Sequence, residues 1–86
     1  MNSPYLEVTY RHGRPFAAYL HLFSDSQVSA SRPIPHGMVL DFDAQGVVVG
    51  LEITAPSLIN AQSILDALHA AGADCPAPEL RPLFAA

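Results

Sequence analysis

Residues 38–54, Met-Val-Leu-Asp-Phe-Asp-Ala-Gln-Gly-Val-Val-Val-Gly-Leu-Glu-Ile-Thr, decide the fold. Two apolar, β-branched runs flank a short polar segment, which is the pattern of two antiparallel strands joined by a tight turn. A four-residue loop would pair Phe42 with Val47 and make one face of the hairpin entirely apolar. A three-residue loop would pair Asp43 with Val47 and bring carboxylates onto that face. We therefore predict the four-residue loop.

Asp43 and Gly46 are the two residues expected to shape this turn. An aspartate at the first loop position can accept hydrogen bonds from backbone N–H groups that follow it. A glycine at the last loop position can adopt the left-handed conformation that closes the turn.

A second hairpin is predicted upstream of the first. Residues 5–10 and 16–23 are rich in aromatic and apolar residues, and Arg11-His-Gly-Arg-Pro15 between them has the composition of a turn. Residues 28–32 form a short and poor candidate for a further edge strand, which ends at Pro33. We expect a small antiparallel sheet of two hairpins, with about four strands.

The pattern becomes helical after Pro56. Apolar residues recur at the spacing of one helix face, namely Ala61, Ile64, Leu65, Leu68 and Ala71. Ser57 and Asn60 are both candidates for the N-terminal cap, and Gly72 is the predicted stop. The fold class is therefore α+β, with one C-terminal helix packed on one face of the sheet. We expect a single domain over residues 1–72 and an extended, proline-rich tail over residues 73–86.

One helix covers only one face of a sheet, yet the strand at 16–23 is apolar on both of its faces. The second apolar face must then be covered by another surface. A second copy of the chain is the favoured candidate, so we expect a homo-oligomer, most simply a dimer. Another small protein and the C-terminal tail are the other candidates for covering this face. The residues expected at this interface are Tyr19, His21, Phe23, Val39 and Val48.

Composition excludes several classes of protein. Half of the 86 residues are hydrophobic and 14% are charged, which excludes a disordered chain. Four arginines without a lysine cannot form the basic stripe that nucleic-acid binding requires. No signal peptide and no apolar run of membrane-spanning length is present, and Cys75 is the only cysteine, so we expect a cytoplasmic protein that does not contact a membrane. Six of the eight carboxylates follow residue 36, an asymmetry that would suit a basic partner.

No catalytic or metal-binding motif is evident in the chain. The four histidines, His12, His21, His36 and His69, lack the spacing of metal ligands. Asp41, Asp43 and Glu52 are the only clustered carboxylates, and their expected placement does not flank a substrate. We predict a protein that is not an enzyme and that holds no metal and no cofactor. A small-ligand or metal site that uses His21 or His36 with Asp41 remains an alternative.

The segment from Gly37 to Ile53, preceded by Ala-Tyr-Leu-His-Leu at residues 18–22, resembles the domain of unknown function 2283 family of small bacterial proteins. The resemblance extends over residues 5–58 and implies no activity, cofactor or catalytic residue. Some family members are encoded near small toxin-like proteins, which implies an antitoxin-like regulator that neutralises a small basic toxin. The chain departs from the family pattern at Arg11-His-Gly-Arg-Pro15, where the family has an acidic turn, and at Thr54-Ala-Pro-Ser57.

Overall fold

The computed structural model describes residues 4–23 and 27–84. Its strands are β1 (Tyr5–Arg11), β2 (Arg14–His21), β3 (Ala30–Ile34), β4 (Met38–Phe42) and β5 (Val48–Ile53). They form one antiparallel sheet in the order β1-β2-β5-β4-β3. After the sheet come a 3-10 turn (Pro56–Leu58), helix α1 (Ala61–Ala70), a second 3-10 turn (Ala77–Leu80) and the short helix α2 (Arg81–Phe84). The α+β class and the antiparallel sheet are confirmed.

The predicted number of about four strands is wrong, because the poor candidate after residue 28 forms a full edge strand. β3 pairs with β4 along its whole length, from Ala30 opposite Phe42 to Ile34 opposite Met38. Pro33 lies within it, and an edge strand tolerates proline because one side of its backbone has no neighbour to bond.

The predicted register of the β4–β5 hairpin is also wrong, and a β-bulge is the reason. The Asp43 N–H donates to the Val47 carbonyl at 2.9 Å. This bond closes a three-residue loop, whereas the predicted loop has four residues. The pairing then shifts, so that Phe42 lies opposite Val48 but Asp41 lies opposite Gly50. Because β5 has one extra residue, the apolar side chains of the two strands return to the same face of the sheet, and Leu40 lies opposite Leu51. A short loop and an apolar face therefore coexist.

Within the loop, the Asp43 carboxylate accepts hydrogen bonds from the N–H groups of Gln45 and Val47, both at 2.9 Å. Gly46 has a φ of 81°, in the left-handed region. A type I turn followed by a left-handed residue is a common three-residue hairpin connection.

Helix α1 begins at Asn60, the second of the two candidate caps. The Asn60 side chain accepts from the Ser63 N–H at 2.9 Å, and the Ser63 hydroxyl accepts from the Asn60 N–H at 3.2 Å. The helix ends with the Ala73 N–H donating to the Leu68 carbonyl, while Gly72 has a φ of 78°. This reciprocal cap and the glycine-closed end fix both ends of the helix.

The C-terminal segment is helical where an extended tail was predicted. Pro78 and Pro82 lie in the first turns of the second 3-10 turn and of α2, where proline breaks no helical hydrogen bond. Cys75, Leu80 and Leu83 are buried in the same core cluster as the sheet and α1. The prolines thus start two short helical turns that return the chain to the core.

The core lies between the helices and one face of the sheet. Cross-strand rows such as Leu6-Leu20-Leu51-Leu40 point toward the helices. Ile64 and Leu68 of α1 pack against these rows and are fully buried. All the described helical elements that enter the core cluster do so on this face.

The β1–β2 turn supplies a test of backbone strain. His12 and Gly13 connect the strands with φ values of 53° and 76°, the two positive angles that a type I′ turn needs. Asparagine tolerates the left-handed region better than histidine, so His12→Asn should stabilise the fold by about 0.5 kcal/mol. The β-branched substitution His12→Val should instead destabilise it by about 1 kcal/mol. Urea unfolding midpoints measure both, and equal midpoints for the two variants would contradict the turn geometry.

Candidate functional site

The surface of the sheet opposite the helices, here called the open face, is formed by two rows of side chains that cross all five strands. One row is Tyr5-His21-Gly50-Asp41-Ser31, and the neighbouring row is Glu7-Tyr19-Glu52-Val39-Pro33. Polar and aromatic residues dominate both rows, whereas the rows on the core side are aliphatic. The open face is therefore not the second apolar face that the sequence suggested.

A chain of hydrogen bonds runs across the centre of the open face. The Tyr19 hydroxyl donates to Asp41 Oδ2 at 2.7 Å, and the Ser31 hydroxyl donates to Asp41 Oδ1 at 2.6 Å. Asp41 is only 9% exposed, so each of its carboxylate oxygens needs a donor, and each has one. These bonds connect β2, β4 and β3.

Gly50 makes the first of these bonds geometrically possible. Tyr19 and Asp41 are on strands that are not neighbours, because β5 lies between β2 and β4. The Tyr19 ring reaches across β5 directly above Gly50, where a β-carbon would overlap its hydroxyl and its ring. A side chain at position 50 would therefore exclude the tyrosine from its place.

His21 lies beside this chain in an aromatic cluster. Its ring stacks on Tyr5 with centroids 4.2 Å apart and meets the edge of Tyr19 at 4.6 Å. His21 Nε2 is paired with the Glu7 carboxylate. Side chains of β1 and β2 are thereby fixed next to the Tyr19–Asp41–Ser31 chain, and the whole set forms a preorganised surface patch.

The environment of Tyr19 keeps its hydroxyl protonated. Burial, followed by the hydrogen bond to Asp41 and the charges of Asp41 and Glu52, raises the pKa of Tyr19 well above its ordinary value. The phenol therefore acts as a fixed hydrogen-bond donor. Away from this face, burial raises the pKa of the Cys75 thiol, with Glu79 and Asp74 adding to the effect.

The structure brings together only some of the predicted interface residues. Tyr19, His21 and Val39 lie on the open face. Phe23 follows the end of β2, is 40% exposed and lines a depression with Val47. Val48 belongs to the core cluster and is 4% exposed, because the bulge places it opposite the core-facing Phe42.

The histidines are dispersed over the fold. His12 and His36 occupy turns, and His69 Nε2 lies 3.2 Å from Asp74. His36 lines a groove of about 470 Å³ between α1 and the β3–β4 hairpin, on the helix side of the sheet. Over residues 4–23 and 27–84, no three or more His, Cys, Asp or Glu side chains are grouped to hold a metal ion. Both oxygens of Asp41 accept hydrogen bonds, from Tyr19 and Ser31. The structure does not bring His36 to Asp41, because His36 lines the groove on the helix side of the sheet.

Four residues of the patch were not singled out from the sequence, namely Tyr5, Glu7, Ser31 and Gly50. Gly50 carried a usable signal, since a glycine inside a strand often marks a close approach by another group. Ser31 had no such signal, because its role depends on a strand that the sequence indicated poorly.

The fold defines a small α+β protein with a five-stranded antiparallel sheet whose helices pack on one side. The family model DUF2283, whose description is 'Protein of unknown function', matches residues 17–56 of the chain. This segment runs from within β2 to just past the end of β5 and is nearly half of the chain, and the match supports the resemblance to this family that the sequence shows. No curated protein and no solved structure matches the chain. No helix among the described residues is long and apolar enough to cross a membrane.

Gly50→Ala should be destabilising although the site is a strand, where alanine is normally the better residue. The new β-carbon displaces the Tyr19 ring and breaks its hydrogen bond to Asp41, at a cost of about 2 kcal/mol. Urea unfolding measures this loss. In a Tyr19→Ala background the same substitution should be neutral or stabilising, and an equal cost in both backgrounds would contradict the proposed overlap.

The raised pKa of Tyr19 predicts a loss of stability at alkaline pH. The unfolded chain releases the phenolic proton near the ordinary pKa of 10.0 while the folded chain retains it, so the stabilisation present below that pH falls as the pH rises above it. Tyr19→Phe removes this contribution. The difference in unfolding free energy between the wild type and Tyr19→Phe should shrink above pH 10, as measured by urea unfolding. A constant difference from neutral to alkaline pH would contradict the raised pKa of the half-buried Tyr19 phenol.

Proposed function

We propose that the protein is a non-enzymatic, cytoplasmic protein-interaction module whose open face binds a partner protein with a basic surface. The observation that carries this proposal is the combination of acidic and aromatic side chains on a preorganised sheet surface that none of the described helices covers. Fixed tyrosines on a sheet surface suit protein docking better than small-substrate chemistry, which needs a concave site.

The charge of the open face favours a basic partner over a second copy on the same face. Three carboxylates, those of Glu7, Asp41 and Glu52, lie in its two rows. Arg11 is at the far end of β1, with its guanidinium 5.2 Å from the centre of the Phe16 ring. Two copies stacked face to face would bring these carboxylates together, and like charges at an interface oppose association. A surface of lysines and arginines would pair with them instead.

Aromatic residues provide the contact area for such a partner. Tyr5 is 41% exposed and lies beside His21, while the Tyr19 ring forms the centre of the patch. Arginine side chains stack on tyrosine faces as well as pairing with carboxylates. A small basic toxin is one partner with this chemistry, so the antitoxin-like alternative is a special case of the proposal.

A photo-crosslinking residue at Val39, which lies on the open face in β4 and away from the β1 edge, tests the proposal in cells of the source organism. We expect an adduct with a protein of basic surface, and we expect Glu7→Lys/Glu52→Lys to abolish it. Glu79→Lys is the matched control, because this exposed glutamate lies on the second 3-10 turn and not on the sheet. An adduct that still forms with the Glu7→Lys/Glu52→Lys variant, or that Glu79→Lys abolishes equally well, would contradict the proposal.

A further inference from the structure

Within residues 4–23 and 27–84, no strand pairs with the outer edge of β1. One hydrogen bond identifies the backbone groups that point outward along this edge. The Leu22 N–H donates to the Val49 carbonyl, so the backbone groups of even-numbered residues at this end of β2 point toward β5. Odd-numbered residues of β2, such as Tyr19, then point toward β1 and bond Glu7 opposite. By alternation, the N–H and C=O groups of Leu6, Val8 and Tyr10 point away from the sheet.

The opposite edge of the sheet is blocked against pairing. The Thr54 N–H donates to the Gly37 carbonyl, so odd-numbered residues at this end of β4 bond β5 and even-numbered ones bond β3. On β3 the groups of Ser31 and Pro33 therefore point outward, followed by Pro35 beyond the strand. Pro33 removes one of the two outward N–H donors of β3, and Pro35 follows directly after the strand, so this edge offers another strand few donors.

β1 contains no proline and is complementary to itself in the antiparallel direction. Val8 is the midpoint of the seven-residue strand, so a two-fold axis there pairs Val8 with the partner's Val8 and overlaps both strands completely. Every outward N–H and C=O group of Leu6, Val8 and Tyr10 then finds a partner. On the open face, Tyr5 lies opposite the partner's Arg11, a cation–π pair, and Glu7 lies opposite the partner's Thr9.

The alternative register centred on Glu7 is disfavoured, because it would place Glu7 opposite the partner's Glu7. The register centred on Val8 also covers Tyr10, which is 56% exposed in the single chain. On the helix side of the sheet, Tyr10 would lie beside the partner's Leu6, so the pairing adds apolar contact to the hydrogen bonds.

We propose that two copies of this chain associate through their β1 edges in this register and form a continuous ten-stranded sheet. The occupant of the edge is a second copy, because the strand supplies its own complementary backbone groups and side chains. The contact is made by the outward backbone groups of β1. Although Tyr5 and Glu7 also belong to the open face, pairing at the edge leaves the two open faces side by side on the same surface of the extended sheet. The two proposals have separate tests, since Glu7→Lys/Glu52→Lys leaves the outward N–H groups of β1 in place and Tyr10→Pro changes no carboxylate of the open face.

Light scattering coupled to size exclusion of the full chain should give twice the monomer mass of 9.2 kDa at high micromolar concentration. Tyr10→Pro removes one outward N–H without touching the bonds from β1 to β2, and it should shift the mass to that of the monomer. Tyr10→Thr, which keeps the N–H, is the matched control and should remain a dimer. A monomeric wild type, or a dimer unaffected by Tyr10→Pro, would overturn the proposal.

Amide hydrogen exchange measured by NMR tests the register without any substitution. The Leu6, Val8 and Tyr10 amides should exchange at least tenfold more slowly in concentrated samples than in dilute ones, whereas the outward Ser31 amide on β3 should not change. Protection that is independent of concentration at Val8, or that appears at Ser31 instead, would overturn the assignment to the β1 edge.

Discussion

The carboxylate of Asp41 is the point on which the open face depends. A charged group that is 9% exposed is destabilising unless hydrogen bonds replace its lost water, and Tyr19 and Ser31 supply those bonds from strands on either side. The tyrosine reaches Asp41 only because Gly50 leaves room above β5. One satisfied acceptor thus positions side chains of β2, β4 and β3 across β5. His21 packs against the fixed Tyr19 ring, and Tyr5 stacks on His21.

The bulge in β5 allows this arrangement to coexist with an apolar core. Without the extra residue, the three-residue loop closed by Asp43 and Gly46 would align carboxylates with the aliphatic rows. With it, Asp41 points to the open face while Leu40 and Phe42 point to the core cluster. One face of the sheet can then pack against the helices, while the other presents polar and aromatic groups to a partner.

Features that depend on local periodicity were predictable from the sequence. The 3.6-residue stripe located α1, and the β-rich runs located β1, β2, β4 and β5. The register of the hairpin was not predictable, because face matching assumes regular strands and a bulge violates that assumption. The helical form of the segment after Gly72 was missed because prolines also start helical turns. The patch on the open face was found only in part, since Ser31 lies on a strand that the sequence indicated poorly and Tyr5 gains its role from stacking on His21 across the β1–β2 hairpin.

The central claim is that Tyr19 and Asp41 act as a unit that organises the open face. A double-mutant cycle with Tyr19→Phe and Asp41→Asn, evaluated from urea unfolding at neutral pH, measures their interaction directly. A hydrogen bond to a partly buried carboxylate should give a coupling free energy of about 1.5 kcal/mol or more. Additive effects of the two substitutions, with no coupling, would contradict the account.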